Sequence, residues 1–123
     1  MSDKQTLLLN AVLRRLDRAP SGLLKDLSRE MGVSRRTLQK VVSTAKGKTF
    51  REVREEMLVE QVKSLLESHP TRAIKELAFE LGYKSPRSFA RAIKRVCGSS
   101  PAELRSRTIF QLLQLQKGIR FED

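Results

Sequence analysis

Residues 74–105 read IKELAFELGYKSPRSFARAIKRVCGSSPAELR, and residues 24–54 read LKDLSREMGVSRRTLQKVVSTAKGKTFREVR. The two stretches align fifty positions apart as far as Gly32 and Gly82, and the register resumes after one extra residue, Lys84. Identical pairs run through the whole alignment: Lys25 and Lys75, Leu27 and Leu77, Glu30 and Glu80, Gly32 and Gly82, Ser34 and Ser85, Arg36 and Arg87, Gly47 and Gly98, Arg54 and Arg105. A match of this length with a single gap indicates an internal repeat, so the chain carries two copies of one unit.

Each copy predicts two short helices joined by a tight turn. Apolar residues recur at helical spacing in both helices: Leu24, Leu27 and Met31, then Leu38, Val41, Val42 and Ala45, in the first copy; Ile74, Leu77, Ala78 and Leu81, then Phe89, Ala92, Ile93 and Val96, in the second. Gly32 and Gly82 follow the first helix of each copy, where glycine closes a helix easily in the left-handed conformation. Ser34 and Ser85 fit the N-cap of the second helix, and Pro86 fits its first turn. The pattern is typical of a helix-turn-helix, although a plain helical hairpin has the same pattern.

Composition restricts the class of protein. The 123 residues suffice for one domain or two very small ones, and 39% hydrophobic residues can fill a core. The formal net charge of +11 favours a polyanionic partner. The single cysteine, Cys97, and the single histidine, His69, exclude an internal disulfide and a zinc site. We find no signal peptide or membrane span, so we expect a cytoplasmic protein with no membrane partner.

The positive charge is concentrated in the second helix of each copy. Residues 31–51 contain six basic residues and no acid, and residues 81–102 contain five basic residues and no acid. These eleven residues equal the whole surplus of 25 basic over 14 acidic residues. A solvated helix face normally mixes both signs, so two faces of one sign indicate a surface that binds nucleic acid.

The remaining segments complete a predicted all-α chain. Residues 1–48 are expected to hold an N-terminal helix, with Leu7, Leu8, Ala11, Val12 and Leu16 on its apolar face, and the first helix-turn-helix. Residues 49–68 form a connecting helix, residues 69–105 form the second helix-turn-helix, and residues 106–123 form an apolar C-terminal extension. About 18 helical residues span about 27 Å, which is close to the ~34 Å turn of DNA. Two recognition helices on such a connector would enter successive major grooves of an asymmetric site.

The sequence resembles the AraC/XylS family of bacterial transcription regulators. The resemblance covers roughly residues 5–105. Its specific signature lies in residues 74–105, which match the family pattern I-x-E-(I/L)-A, then G-(F/Y), then F-x-R-x-F-(K/R)-(K/R), then G-x-x-P and a closing Arg. Ile93 stands where the family usually has Phe. The length is similar to that of the short members of the MarA and SoxS kind, which lack a sensor domain. The resemblance implies two homeodomain-like helix-turn-helix units on a long connecting helix.

Residues opposite the apolar stripe, near the N-terminal end of each second helix, are expected to face the base edges of DNA. Arginine binds guanine bidentately and glutamine binds adenine, so the predicted base-reading residues are Arg36, Gln39, Arg87 and Arg91. The resemblance adds Lys40 and Pro86 to this set. Phosphate contacts are expected from Ser34, Arg35, Lys46, Lys48, Ser85, Lys94 and Arg95.

No catalytic residue, cofactor or metal is predicted, because no nucleophile lies near a base in the repeat. The sequence predicts a regulator that binds specific double-stranded DNA as a monomer. The resemblance implies activation, with RNA polymerase as a partner, in the nucleoid of a bacterium. Two alternatives are a nonspecific DNA- or RNA-binding protein and the DNA-binding fragment of a larger effector-responsive regulator. Residues 106–123 would either dock on the second unit or form a dimer.

Overall fold

The computed structural model describes residues 2–121, with side chains described through Gln116. This part of the chain folds into seven α-helices: α1 (Asp3–Arg18), α2 (Leu24–Met31), α3 (Arg35–Lys46), α4 (Phe50–Ser68), α5 (Ile74–Glu80), α6 (Pro86–Cys97) and α7 (Pro101–Phe121). No strand occurs in the described residues, and the predicted all-α class is confirmed. None of these helices is both long and apolar enough to cross a membrane.

The chain divides inside α4 into two compact units, Met1–Leu58 and Val59–Asp123. The first unit has one continuous core that joins α1, α2, α3 and the start of α4, with these buried residues: Leu9, Val12, Leu16, Leu27, Leu38, Val41, Val42, Phe50 and Val53. The predicted apolar face of α1 is wrong at one position, because Leu7 is 67% exposed and Leu9 is buried instead.

The second unit buries residues of α5 and α6 together with the C-terminal half of α4: Val62, Leu66, Leu77, Ala78, Leu81, Phe89, Ala92 and Ile93. The ring of Phe89, which is fully buried, lies 5.4 Å from the ring of Tyr83, measured between centroids. The predicted apolar stripes of α5 and α6 are therefore the core of this unit, except that Ile74 and Val96 are only half-buried.

The helices that follow the two helix-turn-helix pairs start with the same local structure. At the start of α4, the Thr49 amide donates to Glu52 Oε1 and the Glu52 amide donates to Thr49 Oγ1, each over 3.1 Å. At the start of α7, Ser100 and Glu103 exchange the corresponding bonds over 3.0 and 3.1 Å. Such a capping box satisfies two of the free amides at a helix start.

The predicted boundary at residue 106 falls inside α7, which begins at Pro101 and runs to Phe121. Several large apolar side chains of α7 are exposed: Ile109, Phe110, Leu113 and Leu115. Residues 122 and 123 of the predicted extension lie outside the described residues.

Candidate nucleic-acid interface

The turn between α2 and α3 is closed by glycine and serine, as predicted. Gly32 is the C-cap of α2 with φ +67°, and its amide donates to the Ser28 carbonyl. Ser34 caps α3, because its Oγ accepts from the Thr37 amide over 3.1 Å. The same hydroxyl donates to Thr37 Oγ1, so the group predicted to contact phosphate is engaged in capping.

Helix α3 has one apolar and one polar face. Leu38, Val41 and Val42 are buried. Arg36, Gln39 and Lys40, the three residues predicted to face bases in this unit, are exposed on the opposite side and line one cavity of about 370 Å³. The cavity is also lined by three residues that the sequence did not single out for binding: Ser43, Thr49 and Phe50.

In the turn between α5 and α6, the glycine with positive φ lies one position later, relative to the helix end, than in the turn between α2 and α3. Helix α5 ends at Glu80 with Leu81 as a right-handed C-cap, and the positive φ of +94° falls at the next residue, Gly82. The glycine therefore follows the C-cap instead of occupying it. Ser85 caps α6 through an Oγ that accepts from the Ser88 amide over 3.2 Å, with Pro86 in the first turn. The predicted cap and the predicted proline position are confirmed.

Helix α6 repeats the two-faced design of α3. Phe89, Ala92 and Ile93 are buried, whereas the predicted binding residues on this helix are exposed: Pro86, Arg87, Arg91, Lys94 and Arg95. Arg87, Arg91 and Lys94 follow one another at helical spacing, so their Cα atoms lie along one side of the helix. Every charged residue of α6 is basic, as is every charged residue of α3.

Two acidic residues of α4 form ion pairs with basic residues of the acid-free stretch 31–51. Lys48 Nζ lies 2.6 Å from Glu56 Oε1, and Arg51 Nε lies 3.1 Å from Glu55 Oε1. The hydrogen bond and the charge of Glu56 raise the pKa of Lys48 above its usual value. Sequence windows did not reveal this pairing, because both acids follow the acid-free stretch. Lys48 therefore already has an anionic partner at the position where the sequence predicts a phosphate.

The predicted base-reading cations have no such partner in the part of the chain with described side chains. Arg36 and Lys40 on α3, and Arg87 and Arg91 on α6, form no ion pair with an acid there. Their charges remain available to an anionic ligand. No group of three metal-binding side chains occurs in the described residues.

An arginine in each copy holds the loop before the first helix. Arg54 donates to the Gly22 carbonyl over 3.4 Å, and Arg105 donates to the Arg72 carbonyl over 2.6 Å. The acceptors are equivalent in the repeat, as are the donors. The identity of Arg54 and Arg105 was visible in the sequence, but their partners, more than 30 residues away, were not.

Comparisons with known proteins agree with this geometry. A family model described as a helix-turn-helix domain matches residues 27–107, more than half of the chain. The HTH-type transcriptional regulator GlxA of Rhizobium meliloti (strain 1021) is 32% identical over 98 residues, which cover 80% of this chain and 28% of the relative. The matched part of the chain thus spans less than a third of the length of that regulator.

Two solved structures share the fold. A transcriptional regulator from Chromobacterium violaceum with an AraC-type DNA-binding domain superposes with a TM-score of 0.62 at 18% identity, covering 87% of this chain and 96% of the other. The DNA-binding domain of the global transcriptional factor AdpA, solved in complex with a target DNA, superposes with a TM-score of 0.65 at 25% identity, covering 86% and 93%. With the matching family model and the curated relative, these likenesses show that the chain belongs to the AraC family of helix-turn-helix transcription regulators.

Proposed function

We propose that this chain recognises a specific double-stranded DNA sequence through α3 and α6 and thereby regulates transcription from a promoter. One observation carries the proposal: each of these helices buries one apolar stripe and carries only basic residues among its charged ones. A helix with this division fits the major groove, because its inner face is held by the core while its outer face meets the bases and phosphates. The AdpA structure, a relative bound to target DNA, supports the same use of the fold.

The two helices differ at positions that face the proposed groove. Gln39 of α3 corresponds to Ala90 of α6, and Lys40 corresponds to Arg91. Glutamine pairs with adenine, and alanine offers only an apolar contact. We therefore propose that the two units read different base pairs. The binding site of a monomer would be asymmetric, with its two halves in successive major grooves.

Selection of duplexes from a random pool near physiological salt tests this proposal, because salt suppresses nonspecific binding. We expect two unlike sequence blocks about one helical turn apart. A palindrome would contradict the monomeric mode and indicate a dimer. Binding without any enrichment would contradict sequence recognition and identify a nonspecific DNA-binding protein.

Single substitutions distinguish base readers from phosphate contacts. We expect Arg87→Ala to weaken binding to the selected site by about 1–3 kcal/mol and to relax the preference at one position. Lys94→Ala should weaken all sequences equally and lower the salt dependence. Lys75→Ala, which removes an exposed lysine of α5, is the matched control and should leave affinity nearly unchanged. Equal losses on all sequences with Arg87→Ala would remove it from the base-reading set.

The direction of regulation follows from the family resemblance, and we propose activation through contact with RNA polymerase in the bacterial cytoplasm. In transcription with purified bacterial polymerase, a promoter carrying the selected site should yield more transcript when the protein is added. The same promoter with a scrambled site is the control. A decrease in transcript would identify a repressor.

A further inference from the structure

The second unit contains a cavity of about 190 Å³ between the C-terminal half of α4, the end of α6 and α7. Its floor is apolar, since Val62 and Leu66 line it and are only 2% and 1% exposed. Leu104 of α7 and the half-buried Cys97 at the end of α6 add to this lining. A closed and wholly apolar cavity of ~150 Å³ accepts one benzene molecule, and this one is also lined by the polar residues Thr108 and Gln111. The space therefore suits an apolar group of about six carbons.

Two cationic side chains line the same cavity. Lys63 of α4 and Arg107 of α7 are both exposed. Neither forms an ion pair with an acid among the residues with described side chains, although Arg107 donates to Ser99 Oγ. Both lie outside the acid-free stretches that surround α3 and α6. The proposed DNA contacts therefore leave these two charges without a role.

The thiol at the cavity does not neutralise these charges. Burial raises the pKa of Cys97, while the positive charges of Lys63 and Arg107 act in the opposite direction. The thiol therefore stays protonated at neutral pH and supplies no negative charge to either cation. The carboxylate of Glu103 is close enough for the charge of Arg107 to help lower its pKa, but the two form no ion pair. An occupant that carries one negative charge would complete the electrostatics of the cavity.

We propose that this cavity binds a small carboxylate whose apolar body of about six carbons rests on Val62 and Leu66 and whose carboxylate lies between Lys63 and Arg107. A DNA phosphate fits less well, because it has no apolar group to cover the floor and its polar atoms would lose solvent there. A neutral apolar molecule of the same shape leaves the two cations unpaired. The combination of shape and charge selects the amphipathic anion. Because its lining includes Cys97, the last residue of α6, the occupant would touch the C-terminal end of that helix.

Cyclohexanecarboxylate and its neutral amide, cyclohexanecarboxamide, are matched probes for this cavity. The whole chain is titrated with each probe, without DNA and at low ionic strength. Calorimetry and the amide resonances of residues that line the cavity measure the binding. We expect saturable binding of the carboxylate. We expect the neutral amide to bind about fivefold more weakly or worse, because it loses the attraction to two cations. Equal binding of both probes, or no saturable binding of the carboxylate, would overturn the proposal.

Variants locate the binding site. Lys63→Gln and Arg107→Gln should each weaken carboxylate binding about fivefold while leaving the amide unchanged. Cys97→Met, which places a larger apolar side chain in the cavity, should weaken both probes. Lys75→Gln removes an exposed lysine elsewhere in the same unit and should have no effect. Thermal unfolding verifies that each variant is folded. Carboxylate binding that survives all three cavity variants would place the ligand elsewhere and overturn the proposal. Because no DNA is present, the result is independent of whether the chain regulates transcription.

Discussion

The two units of this protein share their supporting structure and differ in the surface they present. In both, a glycine with positive φ lies in the turn and a serine caps the second helix, α3 or α6. In both, the helix that follows starts with a capping box. In both, an arginine bonds to an equivalent carbonyl in the loop before the first helix. These shared positions hold the backbone and do not belong to the predicted base-reading surface. The two copies of the repeat therefore share the contacts that position α3 and α6.

The differences lie where a ligand would meet each unit. The first unit pairs Lys48 and Arg51 with acids of α4, whereas the second has a cavity lined by two cations that form no ion pair in the described residues. On α3, Gln39 is exposed, whereas the equivalent Ala90 of α6 is half-buried. The buried positions also differ, as Leu38 and Phe89 do, but they remain apolar. The exposed differences would allow one scaffold to read two different DNA sequences. Substitutions at equivalent positions test whether the two units depend on these residues to the same degree.

The largest effect is expected in the cores, where Leu38 and Phe89 are equivalent and fully buried. Leu38→Ala should lower the free energy of unfolding by about 2–5 kcal/mol, and Phe89→Ala by about 3–5 kcal/mol, because both leave cavities. Phe89→Ala also removes the ring contact with Tyr83. Urea denaturation followed by circular dichroism measures both. The exposed Ser43→Ala serves as control, and a loss below about 1 kcal/mol for Phe89→Ala would contradict its place in the core.

A smaller loss is expected from the arginines that hold the loops. Arg105→Met and Arg54→Met each leave a loop carbonyl without its charged donor, which costs about 1.5–3 kcal/mol. Arg105 should matter more, because its bond measures 2.6 Å and that of Arg54 measures 3.4 Å. Thermal unfolding provides the measurement.

Arg91→Met is the matched control for this pair, because Arg91 is exposed on α6 and forms no ion pair in the described part of the chain. We expect it to leave stability unchanged while lowering DNA affinity. If Arg54→Met and Arg105→Met also weakened DNA binding without affecting stability, these arginines would belong to the interface and not to the scaffold.

The sequence predicted the helices and the turn because these depend on local chemistry. Periodic apolar residues and the caps Ser34 and Ser85 are read directly from the chain, and the structure agrees. The apolar run at the start of α1 misled the prediction at Leu7, because three adjacent leucines fit more than one helical face. Contacts between distant residues were beyond the sequence. The pairing of Lys48 with Glu56 depends on how α4 leaves the turn, and the cavity requires three helices to meet.

The N-caps should contribute equally in the two units. Ser34→Ala and Ser85→Ala each remove an acceptor for an amide of the first helical turn, so each should destabilise the protein by about 1 kcal/mol. Ser→Asp variants should retain stability, because aspartate also caps a helix well. The same aspartates would repel phosphate, so a loss of DNA affinity at full stability would support the predicted phosphate contacts at these positions. Unchanged stability in either alanine variant would show that its hydroxyl does not cap the helix.

The smallest difference concerns the acids of the two capping boxes and depends on pH. Hydrogen bonds lower the pKa of Glu52 and Glu103 below the ordinary value of 4.5. The largest effect comes from the backbone amides of Thr49 and Ser100, and the side chains of the same two residues add to it. A lowered pKa in the folded state means that the charged form stabilises the protein above that value, and that this contribution is lost as the pH falls through the lowered pKa. Glu52→Gln and Glu103→Gln keep an acceptor for the amide but remove the titration.

Both glutamine variants should therefore be less stable than the unsubstituted protein at neutral pH and equally stable once the glutamates are protonated. Denaturation at a series of pH values measures this convergence. The double variant tests the equivalence of the units, since distant sites contribute additively. A difference that stays constant from neutral to acidic pH would mean that the glutamates titrate normally in the folded protein. A convergence in one unit alone would show that the two capping boxes, although built from equivalent residues, differ in solution.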